Sequence, residues 1–306
     1  MCSRRRTASR IVDRVLSDGR RLDGGRRASQ LRRVNSAPAL APRARSPLTY
    51  FALVYALSIP FWWIGAATGL QLVPGLPVAA LMVLAPLGAA LLLVYRENRS
   101  AGVVELLRRA FDYRRIRAQR WYVPAALLMP GLLLLAYGLM RLSGIPAPPS
   151  GVPALAALLM LLAFFIAGLS EELGWSGYAI DPLQQRWNAL RASILVGVVW
   201  AVWHLVPLVQ AHRAPAWIAW WCLFTVAIRI LYVWLYNNTG KSVFAVALCH
   251  GMENFSSYVF PFSGGTYAPR FTAPVAACAA VIVIALWGPR TLTRIGMSLD
   301  SPRGRP

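Results

Sequence analysis

Along most of this chain apolar residues come in long, nearly unbroken runs rather than in the short alternations of a soluble protein. The runs cover approximately 48–70, 76–95, 121–140, 152–178, 190–210, 216–236, 242–260 and 272–288. A helix rising about 1.5 Å per residue needs about 20 residues to cross a hydrocarbon core, and each run is within reach of that length. The pattern predicts an all-α polytopic membrane protein of about eight transmembrane helices in a bundle. Prolines inside the runs, such as Pro60, Pro86 and Pro207, mark kinks at most, because neighbouring membrane helices re-satisfy the freed backbone groups.

Composition supports that class: 57% of the 306 residues are apolar and 14% charged. The net charge of +21 would point to nucleic acid in a soluble protein. Here the arginines cluster in an N-terminal arm, one loop and the tail, which fits the positive-inside rule and gives no nucleic-acid groove. Residues 1–47 hold thirteen Arg and three Asp with little apolar periodicity, predicting a disordered arm. Residues 48–288 form the membrane domain and 289–306 a tail. The 96–120 loop holds eight Arg, and Arg186, Arg191 and Lys241 lie on links of the same side. Alternate links carry few basic residues, so both termini are expected in the cytoplasm. Between the second and third runs, Val103, Leu106, Leu107, Ala110 and Phe111 repeat at helical spacing, which predicts a helix lying in the membrane interface. Cys2, Cys222, Cys249 and Cys278 show no ligand or disulfide spacing and are expected as free thiols.

What changes the picture is the polar content of the runs. From Trp121 to Pro289 the acids are Glu171, Glu172, Asp181 and Glu253, and the histidines are His204, His212 and His250. A carboxylate near the bilayer centre costs about 2.5–3.5 kcal/mol on insertion scales, so such residues have partners or uses. Counted from the cytoplasmic end of each helix, Glu171 lies roughly 15 Å deep, His204 roughly 21 Å, His250 roughly 12 Å and Asn254 roughly 18 Å, one layer about 10 Å thick. The layer predicts an intramembrane polar cavity. His250 and Asn254 are four apart and share a helix face, whereas Glu253 points elsewhere. Glu171 and Glu172 are turned about 100° from each other, so one can act on a water while the other holds a structural contact, for instance with Arg229. Glu, two His and Asn suit hydrolysis, with a base for water and donors for an oxyanion. The same spacing also allows an ion or proton pathway, or polar groups that merely join helices.

Three segments carry a resemblance. Glu171-Glu172-Leu-Gly-Trp175-Ser-Gly177-Tyr178, Trp200-Ala-Val-Trp203-His204-Leu-Val-Pro207 and Leu248-Cys-His250-Gly-Met-Glu-Asn254 resemble, in order and spacing, the three motifs of the CAAX prenyl protease and bacteriocin-processing family of intramembrane proteases. The arginine-rich loop ending in Arg120-Trp121-Tyr122 is similar to the family's as well, and the resemblance covers roughly 48–288. It implies an eight-helix bundle with a catalytic cavity open toward the cytoplasmic leaflet. It also implies Glu171 and His204 as activators of water, with His250 and Asn254 as stabilisers of the oxyanion. The first motif departs from the family at Ser176, where many relatives carry Arg. Arg229, the only basic residue deep in the sixth run, is expected to compensate by pairing with Glu172 or Glu253.

The leading expectation is thus an intramembrane endopeptidase, similar to type II CAAX prenyl endopeptidases, acting near the cytoplasmic membrane face. The alternative is a non-proteolytic immunity or partner-binding protein that keeps the fold, and a transporter comes third because no internal repeat is present. Catalytic roles fall to Glu171, His204, His250 and Asn254, with Glu172 beside them. No cofactor is expected to be required. The alternative is a divalent metal such as zinc at Glu171, His204 and His250, although no His-Glu-x-x-His motif occurs and an Asn side chain is a poor ligand. The expected partners are a membrane-associated peptide or protein substrate and the lipid bilayer, and no nucleic acid. The arginine-rich composition suggests a bacterial cell membrane.

Overall fold

A computed structural model gives the structure of residues 45–73, 76–145, 152–259 and 269–294. Of the expected arm, 1–47, only 45–47 lies within them, and of the tail, 289–306, only 289–294; Cys2 lies outside as well.

Every apolar run becomes helix. The elements are α1 (Pro47–Thr68), a small antiparallel hairpin of β1 (Gln71–Val73) and β2 (Leu76–Pro77), a 3-10 stretch over Val78–Leu84, α2 (Ala85–Arg108), and α3 (Tyr122–Leu142). Then come α4 (Ala154–Gly174), a π-helical turn at Trp175–Ala179, α5 (Ile180–Arg186), α6 (Ala189–Trp203), α7 (Leu205–Gln210), α8 (Pro215–Asn238), α9 (Val243–Val259) and α10 (Pro269–Trp287). Seven helical stretches among the described residues are long and apolar enough to cross a membrane. The run expected at 242–260 forms α9, of 17 residues. The protein is an all-α polytopic integral membrane protein.

The outer surface is apolar and the polar groups face inward. Ile59, Trp63, Leu134, Leu155, Ile166 and Val281 are exposed, whereas Glu171, Glu172, Arg229 and His250 are at most 3% exposed. Lipid tails are as apolar as leucine, so helix association rests on close packing and on polar contacts between helices. One close backbone approach is between α4 and α9. A Cβ added at Gly168 would meet the backbone nitrogen of Gly251 at 3.2 Å and Cγ of His250 at 3.3 Å, and one at Gly251 would lie 2.8 Å from Cα of Phe165. Glycine at both positions brings the two helix backbones together beside the carboxylates.

Two local features shape what surrounds that crossing. Asp112 caps α9: its carboxylate accepts from the hydroxyl of Ser242 (2.7 Å) and from the amides of Val243 (3.2 Å) and Phe244 (3.0 Å). Negative charge at a helix N-terminus satisfies orphan amides and suits the helix dipole. The run 190–210 breaks at His204, between α6 and α7. Pro207 has no N–H to offer the carbonyl of Trp203 four residues back, so the ladder is interrupted there.

The expected interfacial helix takes a different form. α2 bends at Asn98 and Arg99, where φ is +53° at Arg99, and gives way to a 3-10 stretch over Arg109–Arg115. Leu106 and Ala110 are buried, while Leu107 and Phe111 are exposed, Phe111 by 72%. The apolar stripe is therefore divided between the interior of the protein and its surface. Arg109 pulls its end of the loop inward by donating to the carbonyl of Gly177 (2.7 Å), the hydroxyl of Tyr236 (2.7 Å) and the carbonyl of Lys241 (2.9 Å).

Candidate active site

The two glutamates leave α4 on its last turn, just before the π-helical turn, and both are buried. π-Turns add a residue to a helix and re-aim the side chains around it, often at functional sites. Glu172 is held by three groups. Nη1 of Arg229 lies 3.0 Å from each of its oxygens, the hydroxyl of Ser176 donates to it across a short hydrogen bond, and Nδ1 of His250 stands 3.1 Å away. With Arg229 1% and Glu172 0% exposed, this is a buried ion pair. Of the two partners expected for Arg229, Glu172 is the one it meets. The guanidinium also lies over the rings of Trp200 (4.3 Å) and Tyr232 (5.2 Å), where cation–π attraction offsets part of its desolvation.

Glu171 is bound differently. Its Oε2 accepts from the indole N–H groups of Trp200 (2.7 Å) and Trp175 (3.2 Å), and its Oε1 lies 4.0 Å from Nε2 of His250. One imidazole therefore stands between the two carboxylates, Nδ1 to Glu172 and Nε2 toward Glu171. The helical turn of about 100° between the glutamates remains, and it lets them approach different atoms of one ring. A gap of 4.0 Å between two polar atoms is too long for a hydrogen bond and of the size that a bridging water spans.

His204 sits where α6 breaks. Its Nδ1 is 2.9 Å from the carbonyl of Trp200, and its ring packs against Trp203 (4.6 Å), Trp221 (5.1 Å) and Trp200 (5.5 Å). Trp200 packs against His250 as well, at 5.2 Å, so a single indole touches both histidines and donates to Glu171. His250, rather than His204, is the imidazole that reaches Glu171. Asn254 stands one turn beyond His250 on α9 and is half-buried. Glu253 is buried and accepts from the hydroxyl of Ser257 (2.9 Å).

Helical spacing does not single out the tryptophans. Trp175 and Trp200 were visible inside the motifs, but nothing in spacing says that an indole will point its N–H at a carboxylate. The nearest available signal was position: Trp175 lies four residues after Glu171, and Trp200 four before His204. Tyr232, whose ring lies 5.5 Å from that of His250, gave no signal beyond its place three residues after Arg229.

Among the described residues no three His, Cys, Asp or Glu gather into a group that could hold a metal ion. Oε2 of Glu171 is taken by two indole N–H groups and Nδ1 of His250 faces Glu172. Cys222, Cys249 and Cys278 are free thiols.

A buried carboxylate pair and an imidazole enclosed by apolar helices define a class, the polytopic membrane proteins with an intramembrane polar site. Comparison with known proteins finds a family to which the chain is similar. Residues 153–256 match the family described as type II CAAX prenyl endopeptidase Rce1-like, a stretch that contains all three motifs. The chain is also 25% identical over 250 residues to CAAX prenyl protease 2 of Methanococcus maripaludis, covering 72% of this chain and 87% of that protein. Both findings support the CAAX prenyl protease and bacteriocin-processing family to which the motifs pointed, and with it an endopeptidase of CAAX type.

Proposed function

We propose that this protein is an intramembrane endopeptidase that hydrolyses a peptide bond near the cytoplasmic face of a bacterial cell membrane, with both termini inside. The observation that carries the reading is the 4.0 Å gap between Oε1 of Glu171 and Nε2 of His250, beside a second carboxylate whose oxygens are already engaged. A water in that gap gives a proton to Glu171, and its oxygen attacks the scissile carbonyl carbon. The resulting oxyanion takes hydrogen bonds from the carboxamide of Asn254 and from a protonated imidazole. Collapse breaks the C–N bond, and the proton held by Glu171 passes to the leaving amine.

Glu172 is a positioning residue in this scheme. A carboxylate on one ring nitrogen fixes which nitrogen the other presents, the arrangement that orients histidines in many hydrolytic sites. His204, with Nδ1 turned to the Trp200 carbonyl, presents Nε2 and can share the proton of the water or of the leaving group.

The substrate class proposed is a membrane-associated peptide or protein. Purified protein incubated with a membrane-anchored peptide library, with products read by mass spectrometry, is expected to yield fragments cut at a constant distance from the anchor. Intact peptides throughout, from protein shown to be folded, would favour the immunity or partner-binding alternative.

A further inference from the structure

Outside the carboxylate site, the arginine-rich face carries a cavity of about 210 Å³, lined by Arg45, Arg109, Arg115 and Lys241 against Glu105 and Asp181. A second hollow shares Arg115 with it and adds Arg114 and Arg117 against Asp112. Together they present six cationic side chains and three carboxylates. Two of the three carboxylates, Asp112 and Asp181, are engaged. Asp112 caps α9, and Asp181 pairs with Lys241 at 2.9 Å and accepts from the hydroxyl of Tyr236 at 3.2 Å. Arg45 and Arg109 both donate to one oxygen, the carbonyl of Gly177, at 3.1 and 2.7 Å. Two guanidinium groups thus converge on one neutral acceptor, and Nε of Arg109, 3.8 Å from the carboxylate of Asp112, makes no hydrogen bond among the described residues.

We propose that this cavity binds a phosphate monoester or diester. Phosphate offers several acceptor oxygens and a negative charge to a cluster of guanidinium and ammonium donors, the match for which arginine is suited. The volume equals that of about seven waters, enough for a phosphate and a short ester stem. The cavity also lies at the right level: α1 begins at Pro47, α2 bends at Asn98 and α8 ends at Asn238 around it. Pro47 and Asn238 are ends of membrane-spanning helices, where the phosphates of lipid headgroups stand. A bound anion offsets the repulsion between Arg45 and Arg109 and so secures the π-helical turn that follows Glu171 and Glu172. The phosphate can come from an anionic lipid or from a soluble ester, and the test separates them.

The full chain in a neutral detergent is offered phosphatidic acid and phosphatidylcholine in equal amount, and retained lipid is read by native mass spectrometry. Glycerol 3-phosphate and inorganic phosphate are added in parallel, with thermal unfolding as readout. Retention of phosphatidic acid by about fivefold or more over phosphatidylcholine is expected, given the strength of basic clusters at membrane surfaces. The double variant Arg115→Gln, Lys241→Gln should lose that preference. Both side chains are half-exposed, so the fold should tolerate it. Arg115→Lys, and Arg213→Gln at the α7–α8 connection, should keep it. Competition by glycerol 3-phosphate, with a raised unfolding temperature, identifies a soluble ester as the ligand; its absence alongside lipid retention identifies the lipid. Equal retention of both lipids with no thermal response to either phosphate would overturn the proposal, as would a lipid preference or thermal response that survives in the folded double variant.

Discussion

Replacing Arg229 by Leu removes the cation that neutralises a carboxylate with no exposure to solvent. Arg229 and Glu172 are 1% and 0% exposed, and Nη1 lies 3.0 Å from both carboxylate oxygens. Breaking such a pair by deleting one partner costs about 3–5 kcal/mol, because the other charge stays buried. A shift of about 2–4 °C per kcal/mol for a domain of this size turns that into a fall of about 6–20 °C in the unfolding midpoint. The hydroxyl of Ser176 and Nδ1 of His250 remain beside Glu172 and hold the loss toward the lower end. Thermal unfolding in detergent reads the shift. Two further variants separate charge from packing. Arg229→Leu with Ser176→Arg should recover part of the loss, since it returns a guanidinium to the same carboxylate. Arg229→Leu with Glu172→Leu should be less destabilised than Arg229→Leu alone, because an apolar pair leaves no stranded charge. An unchanged midpoint in Arg229→Leu would refute the buried pair and mean that the guanidinium reaches the membrane interface instead.

Other consequences follow from the same geometry. Trp200→Phe keeps a ring between the two histidines but deletes the N–H bound to Glu171, and a hydrogen bond to a charged group is worth about 1.5–3 kcal/mol, so activity should fall about 10- to 100-fold with the fold intact; full activity in a folded variant would remove Trp200 from the site. Gly251→Ala places a methyl 2.8 Å from Cα of Phe165 and should destabilise by about 1–3 kcal/mol, measured by thermal unfolding, with a neutral result showing that α4 and α9 separate freely. Chelator-treated protein stripped of metal should retain hydrolysis. Stoichiometric zinc whose removal abolishes activity and whose return restores it would reassign the reaction.

Much of this could be read from the chain because charge inside an apolar helix is costly and therefore conspicuous. Glu171, Glu172, His204, His250 and Asn254 stood out for that reason, and Arg229 stood out as a cation needing a carboxylate. Helical spacing placed the glutamates on different faces, and it says nothing of a third group on another helix that can meet both through different atoms, as His250 does. The indoles of Trp175 and Trp200 were hidden for a related reason: tryptophan is apolar enough to belong in any span, and its single N–H leaves no periodic trace. The bend at Asn98 and Arg99 has no proline or glycine to announce it and arises where the arginine-rich loop is drawn inward by Arg109. The small cap on α9 was equally silent, since Asp112 and Ser242 are 130 residues apart.

The central claim is that Glu171 is the base and Glu172 the group that positions the ring. Cleavage of a verified membrane-anchored substrate by Glu171→Gln and Glu172→Gln, measured beside the unfolding midpoint of each, tests it most directly. Glutamine keeps the shape and the hydrogen bonds from the two indoles but cannot take a proton, so Glu171→Gln should stay folded and lose at least about 10²-fold in rate. Glu172→Gln should lose more stability, through its contact with Arg229, and less rate. A folded Glu171→Gln protein with full activity, beside a folded but inactive Glu172→Gln protein, would contradict the assignment.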